Sequence, residues 1–291
     1  QDKHWTVLNE KTNEIYMTWT QFDEYNSKEE ADSTIIVFSK SADQGATWTA
    51  PKRISFYAGD CLDGDNTVEG AVPAVGPNGE IYVTWTGPKG LVFQKSLDGG
   101  ETWMPKEDII GKQYGGWTLD IPGIYRANGL PILKCDLSEG PDRGALYLNW
   151  CDQRNGEDDT DVWVMKSTDG GASWSQRVRV NQDDSKRHQF FTWMTLDQST
   201  GYLYFVYYDR RNTNEIETET YISYSIDGGA TFTDVPISKA PFIPDPNLFF
   251  GDYLNIDAVD GHVIAIWPEM HKGEIELFVA KTNAAKLITG R

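Results

Sequence analysis

Ser96-Leu97-Asp98-Gly99-Gly100-Glu101-Thr102-Trp103 decides the fold, because the chain repeats it three more times. The other copies are Ser41-Ala42-Asp43-Gln44-Gly45-Ala46-Thr47-Trp48, Ser167-Thr168-Asp169-Gly170-Gly171-Ala172-Ser173-Trp174 and Ser225-Ile226-Asp227-Gly228-Gly229-Ala230-Thr231-Phe232. Their starts lie 55, 71 and 58 residues apart. Each copy has the chemistry of a tight hairpin. An Asp carboxylate accepts hydrogen bonds from turn amides, a glycine supplies positive φ at low cost, and Ser and Thr hydroxyls close the loop locally. The aromatic residue that ends each copy is expected to be buried at a sheet edge, so Trp48, Trp103 and Trp174 are candidate core residues.

Outward from each hairpin lies a second repeat, a turn followed by a strand that ends in aromatics. It reads Asn13–Trp19, Asn78–Trp85, Gly144–Trp150, Gly201–Tyr208 and Gly261–Trp267. Five units result, each strand, hairpin, strand, loop, strand, Asp hairpin, strand. That is the plan of a four-stranded antiparallel propeller blade. The expected fold is all-β: one propeller domain over 1–291, with blades near 1–56, 57–112, 113–182, 183–240 and 241–291. The fifth unit lacks the Asp hairpin, with Phe278–Asn283 in its place, and reads as three strands. Either five blades close among themselves, or a sixth, N-terminal blade precedes Gln1. The one helix-like stretch surrounds Asn283–Leu287.

Composition sets further bounds. The formal net charge of −18 disfavours a nucleic-acid partner, which needs a basic surface. No apolar run reaches the length of a membrane span, and no signal peptide is visible. Three cysteines, Cys61, Cys135 and Cys151, allow one disulfide and a free thiol, or three buried thiols.

The four hairpins resemble the Asp-box, or BNR, repeats of the sialidase (neuraminidase) superfamily, and the resemblance spans the chain. It is nearest to uncharacterised sialidase-like secreted proteins of Bacteroidetes type. It implies a six-bladed ring and a glycoside hydrolase that acts on an acidic sugar with a Tyr nucleophile. It also implies a secreted, periplasmic or cell-surface location, within or beside a larger surface protein. In such a fold the Asp hairpins lie on the face away from the active site. The alternative is a non-catalytic propeller that binds glycan or protein.

That topology nominates loops after the second strand of each blade and connections between blades. Arg126, Arg154 and Arg210 match the arginine set with which sialidases hold a substrate carboxylate, a geometry suited to the guanidinium fork. The competing reading has these arginines as structural partners of Asp152 and Asp209. Tyr253 stands where the resemblance expects the nucleophile, and Asp120 and Asp65 are candidate acid/base groups. The family's Glu partner for the tyrosine is missing from His188–Trp193. Asp152, Asp209, Asn128, Trp117, His188, Gln189 and Glu269 complete the candidate substrate-binding set. Should the arginines prove structural, Trp5, Trp117 and Phe250 would build a binding surface instead. No cofactor is required. Asp60, Asp63, Asp65 and Glu69 crowd one connection and are the candidate Ca²⁺ ligands, though they miss the spacing of the helix–loop–helix calcium motif.

Overall fold

The computed structural model describes residues 1–213 and 215–290. The first repeat supplies β1 (Asp2–Asn9), β2 (Glu14–Phe22), β3 (Thr34–Ser41) and β4 (Lys52–Arg53). The second supplies β5 (Glu69–Val75), β6 (Ile81–Thr86), β7 (Leu91–Ser96) and β8 (Asp108–Gly111). A short ribbon follows, β9 (Thr118–Leu119) with β10 (Ala127–Asn128). Then come β11 (Ile132–Cys135), β12 (Leu146–Asp152), β13 (Asp161–Ser167) and β14 (Val178–Arg179). The fourth repeat gives β15 (Gln189–Asp197), β16 (Tyr202–Asp209), β17 (Glu219–Ser225) and β18 (Thr233–Pro236). The fifth gives β19 (Asn255–Val259), β20 (His262–His271) and β21 (Glu274–Asn283), capped by helix α1 (Ala284–Thr289).

Among the described residues each set of strands is one sheet in chain order: four sheets of four strands and a last sheet of three, besides the β9–β10 ribbon. The chain is therefore an all-β propeller of four-stranded antiparallel blades. Asp43, Asp98, Asp169 and Asp227 each lie in the hairpin between the third and fourth strands of a sheet. In an antiparallel sheet that hairpin sits at the same end as the one joining strands one and two. The loop after strand two lies at the other end.

The hairpin chemistry is as the residue types dictate. Asp98 Oδ1 accepts from Ser96 Oγ and Thr102 N, both at 2.8 Å, and Oδ2 from Thr102 Oγ1 at 2.5 Å. Hydrogen bonds from Thr102 side chain and backbone, then from Ser96, hold the Asp98 carboxyl down at about 2. Gly100 has φ +87°, and a Cβ there would meet the Phe38 ring at 2.4 Å, so only glycine fits.

The tryptophans of these hairpins depart from expectation. Trp48 is 39% exposed, and Trp103 and Trp174 are only partly buried. The indole of Trp103 folds back so that Nε1 donates to Gly100 O at 3.2 Å, which keeps the ring at the hairpin's rim. Its buried edge meets Phe38 at 5.0 Å between centroids. The large buried aromatics lie instead on the second strands, among them Trp85, Trp150, Tyr204 and Tyr208.

By its internal contacts the chain divides into two compact units, 1–117 with Leu130–Cys135, and 118–129 with 136–291. In the first, Tyr16, Ile36, Phe38, Ile54, Val83 and Trp85 belong to one apolar cluster. In the second, Phe190, Phe191, Tyr208, Phe242 and Phe250 form a chain of ring contacts at 5.4–6.3 Å. First strands β5 and β15 are buried along their whole length, whereas β19 alternates buried and exposed residues. All three cysteines are buried and free, which resolves the two alternatives in favour of thiols.

Candidate functional site

Three of the loops after strand two share a clasp that the sequence analysis did not isolate. In each, an aromatic residue, an acid two positions on and a base two further on share one side of the strand, as the period of two requires. Trp150 Nε1 donates to Asp152 Oδ2 at 3.0 Å, and Arg154 Nε donates to Asp152 Oδ1 at 2.7 Å. Trp267 Nε1 donates to Glu269 Oε1 at 2.7 Å, with His271 Nε2 at 2.8 Å from Oε2. Arg211 Nε donates to Asp209 Oδ2 at 2.8 Å and Arg211 lies against Tyr207 and Tyr221. Asp152 and Asp209 are fully buried, so each carboxylate needs its base. Burial still raises Asp209 to about 6 against the pull of Arg211.

The predicted arginines therefore separate. Arg154 is committed to Asp152 and covered by Trp150 and Trp163. Arg126 makes a two-pronged bridge to Asp252, with Nε to Oδ1 at 2.9 Å and Nη2 to Oδ2. Asn128 Nδ2 adds a bond to Asp252 O at 2.9 Å. These bonds fix the backbone next to Tyr253, whose ring meets Trp193 edge-on at 6.2 Å.

Arg210 is different. It is 1% exposed, one residue out of phase with the clasp, and its guanidinium lies 5.1 Å over the Phe190 ring. Nε donates to Thr218 Oγ1 at 3.1 Å, while Nη1 and Nη2 have no partner among the described residues. Burial and the Arg187 charge push its guanidinium down to about 10, so it remains cationic at neutral pH. His188 lies beside it, since Arg210 N donates to His188 O at 3.2 Å. Burial first, and then the Arg210 charge, press the imidazole down to about 4. Asp120, exposed, acts on the same histidine from the opposite sign. Arg210 and His188 are thus joined through the backbone, while the Asp158 and then the Asp120 charge oppose Arg210 at the imidazole. Gln189 is not at the surface; it is buried beside Asn181 and Asp209.

In the first unit, two predicted residues line a cleft of about 370 Å³: Asp65 and Trp117, with Lys89, Lys112 and Gln113. Asp65 Oδ1 accepts from Trp117 N at 2.9 Å, and the Trp117 ring is buried with Nε1 on Thr67 O. Of the four predicted Ca²⁺ ligands, Asp63 and Glu69 come together, with Asp2 as the third member, their oxygens within 4.8 Å of one another. Asp60 is used locally by Leu62 N and Thr67 Oγ1. Lys3 Nζ sits among the three carboxylates, 2.5 Å from Glu69, 3.1 Å from Asp2 and 3.9 Å from Asp63. That ammonium supplies the positive charge a metal ion would bring, and Ca²⁺ would have to displace it. The surface envisaged on Trp5, Trp117 and Phe250 is corrected: Trp117 and Phe250 are 4% and 6% exposed and serve the interior.

Comparison with solved structures agrees with the strand plan. The intramolecular trans-sialidase of Ruminococcus gnavus, in complex with oseltamivir carboxylate, matches over 96% of this chain and 79% of its own, with TM-score 0.62 and 12% identity. The fold is sialidase-like. A Dyadobacter fermentans protein of unknown function matches 97% of this chain, and 79% of its own length, at TM-score 0.57 and 17% identity. The NanB sialidase of Streptococcus pneumoniae matches over 97% and 56% respectively, at TM-score 0.53 and 10% identity. No family model matches, and no curated protein matches by sequence. No helix among the described residues is long and apolar enough to cross a membrane.

Proposed function

We propose that this sialidase-like chain recognises an acidic glycan at the loops of the second unit, with Arg210 as the partner of the sugar carboxylate. The observation that carries the proposal is the Arg210 guanidinium: buried, charged, and with both terminal nitrogens unclaimed among the described residues. Buried Arg211 and Arg154, by contrast, pair with Asp209 and Asp152. A buried cation without one is costly unless a ligand supplies it, and a carboxylate matches the fork. With the guanidinium 1% exposed, pairing requires the covering side chains to part, so association is expected to be slower than for a preformed open site.

Hydrolysis is the second reading, favoured by the way Arg126, Asp252 and Asn128 fix the residue before Tyr253. In it Tyr253 attacks the anomeric carbon as the glycosidic bond breaks, its phenolic proton passes to solvent, Asp120 protonates the departing oxygen, and Asp120 then takes a proton from the water that cleaves the tyrosyl–sugar bond. The test is calorimetry with N-acetylneuraminic acid and glucuronic acid, together with release of fluorophore from their aryl glycosides. Arg210→Gln should weaken acid-sugar binding by about tenfold or more, the worth of a charge-assisted hydrogen bond. Tyr253→Phe should spare binding and abolish release. Equal binding by the folded Arg210→Gln protein would refute the carboxylate role; binding without release by the wild type would favour a binding module.

A further inference from the structure

Tyr125 and Phe249 remain in solvent, 59% and 47% exposed, although they come from separate connections of the second unit. They meet edge to face, with ring centroids 6.0 Å apart. Neither loop is left to wander. Arg126 follows Tyr125, lies 5.1 Å over the Phe249 ring, and is bridged twice to Asp252, three residues beyond Phe249. Phe250, the next residue, is buried on Phe191, Tyr208 and Phe242 and anchors its loop from beneath. The chain thus buries one phenylalanine and holds its neighbour outward, at a loss of apolar burial that stability alone does not explain. Rigid aromatic faces in solvent suit a ligand with one apolar face and a polar rim. A pyranose ring has that form, its axial C–H groups on one face and hydroxyls at the edge.

We propose that Tyr125 and Phe249 form a stacking platform for a neutral pyranose next to the acidic residue, so that the ligand is an oligosaccharide rather than a free acidic sugar. The two-subsite ligand rests on the acidic-glycan reading, whereas the platform itself stands on its own geometry. Tyr125 is adjacent to Arg126, Phe249 precedes Tyr253 by four residues, and Phe250 packs on Tyr208 two residues before Arg210, so the platform belongs to the same loops as the proposed site.

The experiment titrates the full chain with lactose and with 3′-sialyllactose, by saturation-transfer NMR and calorimetry, in the wild type and in Tyr125→Ala, Phe249→Ala and Arg210→Gln. Both aromatic side chains are exposed, so their removal should leave the thermal midpoint in place. Each alanine variant should weaken both sugars by about fivefold, the scale of one aromatic contact. Arg210→Gln should weaken sialyllactose and leave lactose unchanged. Failure of the wild type to take lactose, or lactose binding unaltered in both alanine variants, overturns the platform. Sialyllactose binding that responds to Phe249→Ala and ignores Arg210→Gln keeps the platform and overturns the acidic-glycan reading instead.

Discussion

Replacing Asp152 by alanine tests whether the clasp holds the loop after the second strand. The carboxylate is fully buried and accepts from Trp150 Nε1, from Arg154 N, and from Arg154 Nε and Nη2. Its removal takes from the buried Arg154 guanidinium, 7% exposed, the carboxylate that its Nε and Nη2 face. That mechanism costs about 3–5 kcal/mol. The Trp150 indole loses a partner as well, worth about 1 kcal/mol. At roughly 2–4 °C per kcal/mol for a large domain, the thermal midpoint should fall by about 10 °C or more. Urea unfolding followed by tryptophan fluorescence provides the free energy. The informative control is Asp152→Ala with Arg154→Met, which removes both charges and keeps the apolar stem over Trp163. Losing a whole buried pair is far cheaper than breaking one, so the double variant should regain at least half the loss. A single-variant cost under about 1 kcal/mol, or a double variant as unstable as the sum of its singles, would show that Asp152 and Arg154 are not coupled.

Other outcomes follow from the same structure. Asp43, Asp98 and Asp169 are each held at about 2, first by the hydroxyl of Thr47, Thr102 or Ser173. A depressed carboxylate stabilises above its unfolded value and loses that support as pH falls from about 4 through about 2, so hairpin amide shifts in an acid NMR titration should move only in that window, and Asp98→Asn should remove the step at its own hairpin. Burial raises Glu69 to about 7, so its contribution falls as pH rises from its unfolded value of about 4.5 through 7; Glu69→Gln should flatten the stability profile there, and an unchanged slope in denaturant melts would count against it. Gly100→Ala should destabilise by about 1–3 kcal/mol, because positive φ and the Phe38 ring both oppose a methyl group; a melting temperature equal to wild type would refute that packing.

The fold was legible because its signals are local. Asp, Gly and a hydroxyl within eight residues specify a hairpin without reference to anything distant, and four copies at blade spacing specify the sheets between them. The site was less legible because it turns on phase and on distant partners. Arg210 and Arg211 are adjacent in sequence, and only the strand's alternation, carried past its end, assigns Arg211 to Asp209. The signal was present in the series Trp150, Asp152, Arg154, then Tyr207, Asp209, Arg211, then Trp267, Glu269, His271. Adjacent Phe249 and Phe250 also part, one exposed and one buried, in a connection outside any strand, where no periodicity announces it. The carboxylate cluster around Glu69 also draws on distant residues: Asp2 and Lys3 join it from some sixty residues upstream, beyond the reach of local spacing. Tryptophan in a hairpin repeat is ordinarily core, but an indole N–H that finds a carbonyl in its own turn, as those of Trp48 and Trp103 do, stays at the rim.

Since the clasp occupies alternate positions, the residue between acid and base takes no part in it. Three blades spend that position in three ways. Gln153 bonds Glu157 O and Thr160, Met270 sulfur accepts from Asp245 N, and Arg210 carries the unclaimed charge. Frame and payload are thereby separated within three consecutive residues of the same loop. A lineage of such repeats can exchange the chemistry at one position while the clasp keeps the backbone where it was. For a designer, 153, 210 and 270 are the first positions to randomise, with 152, 154, 209, 211, 269 and 271 left alone.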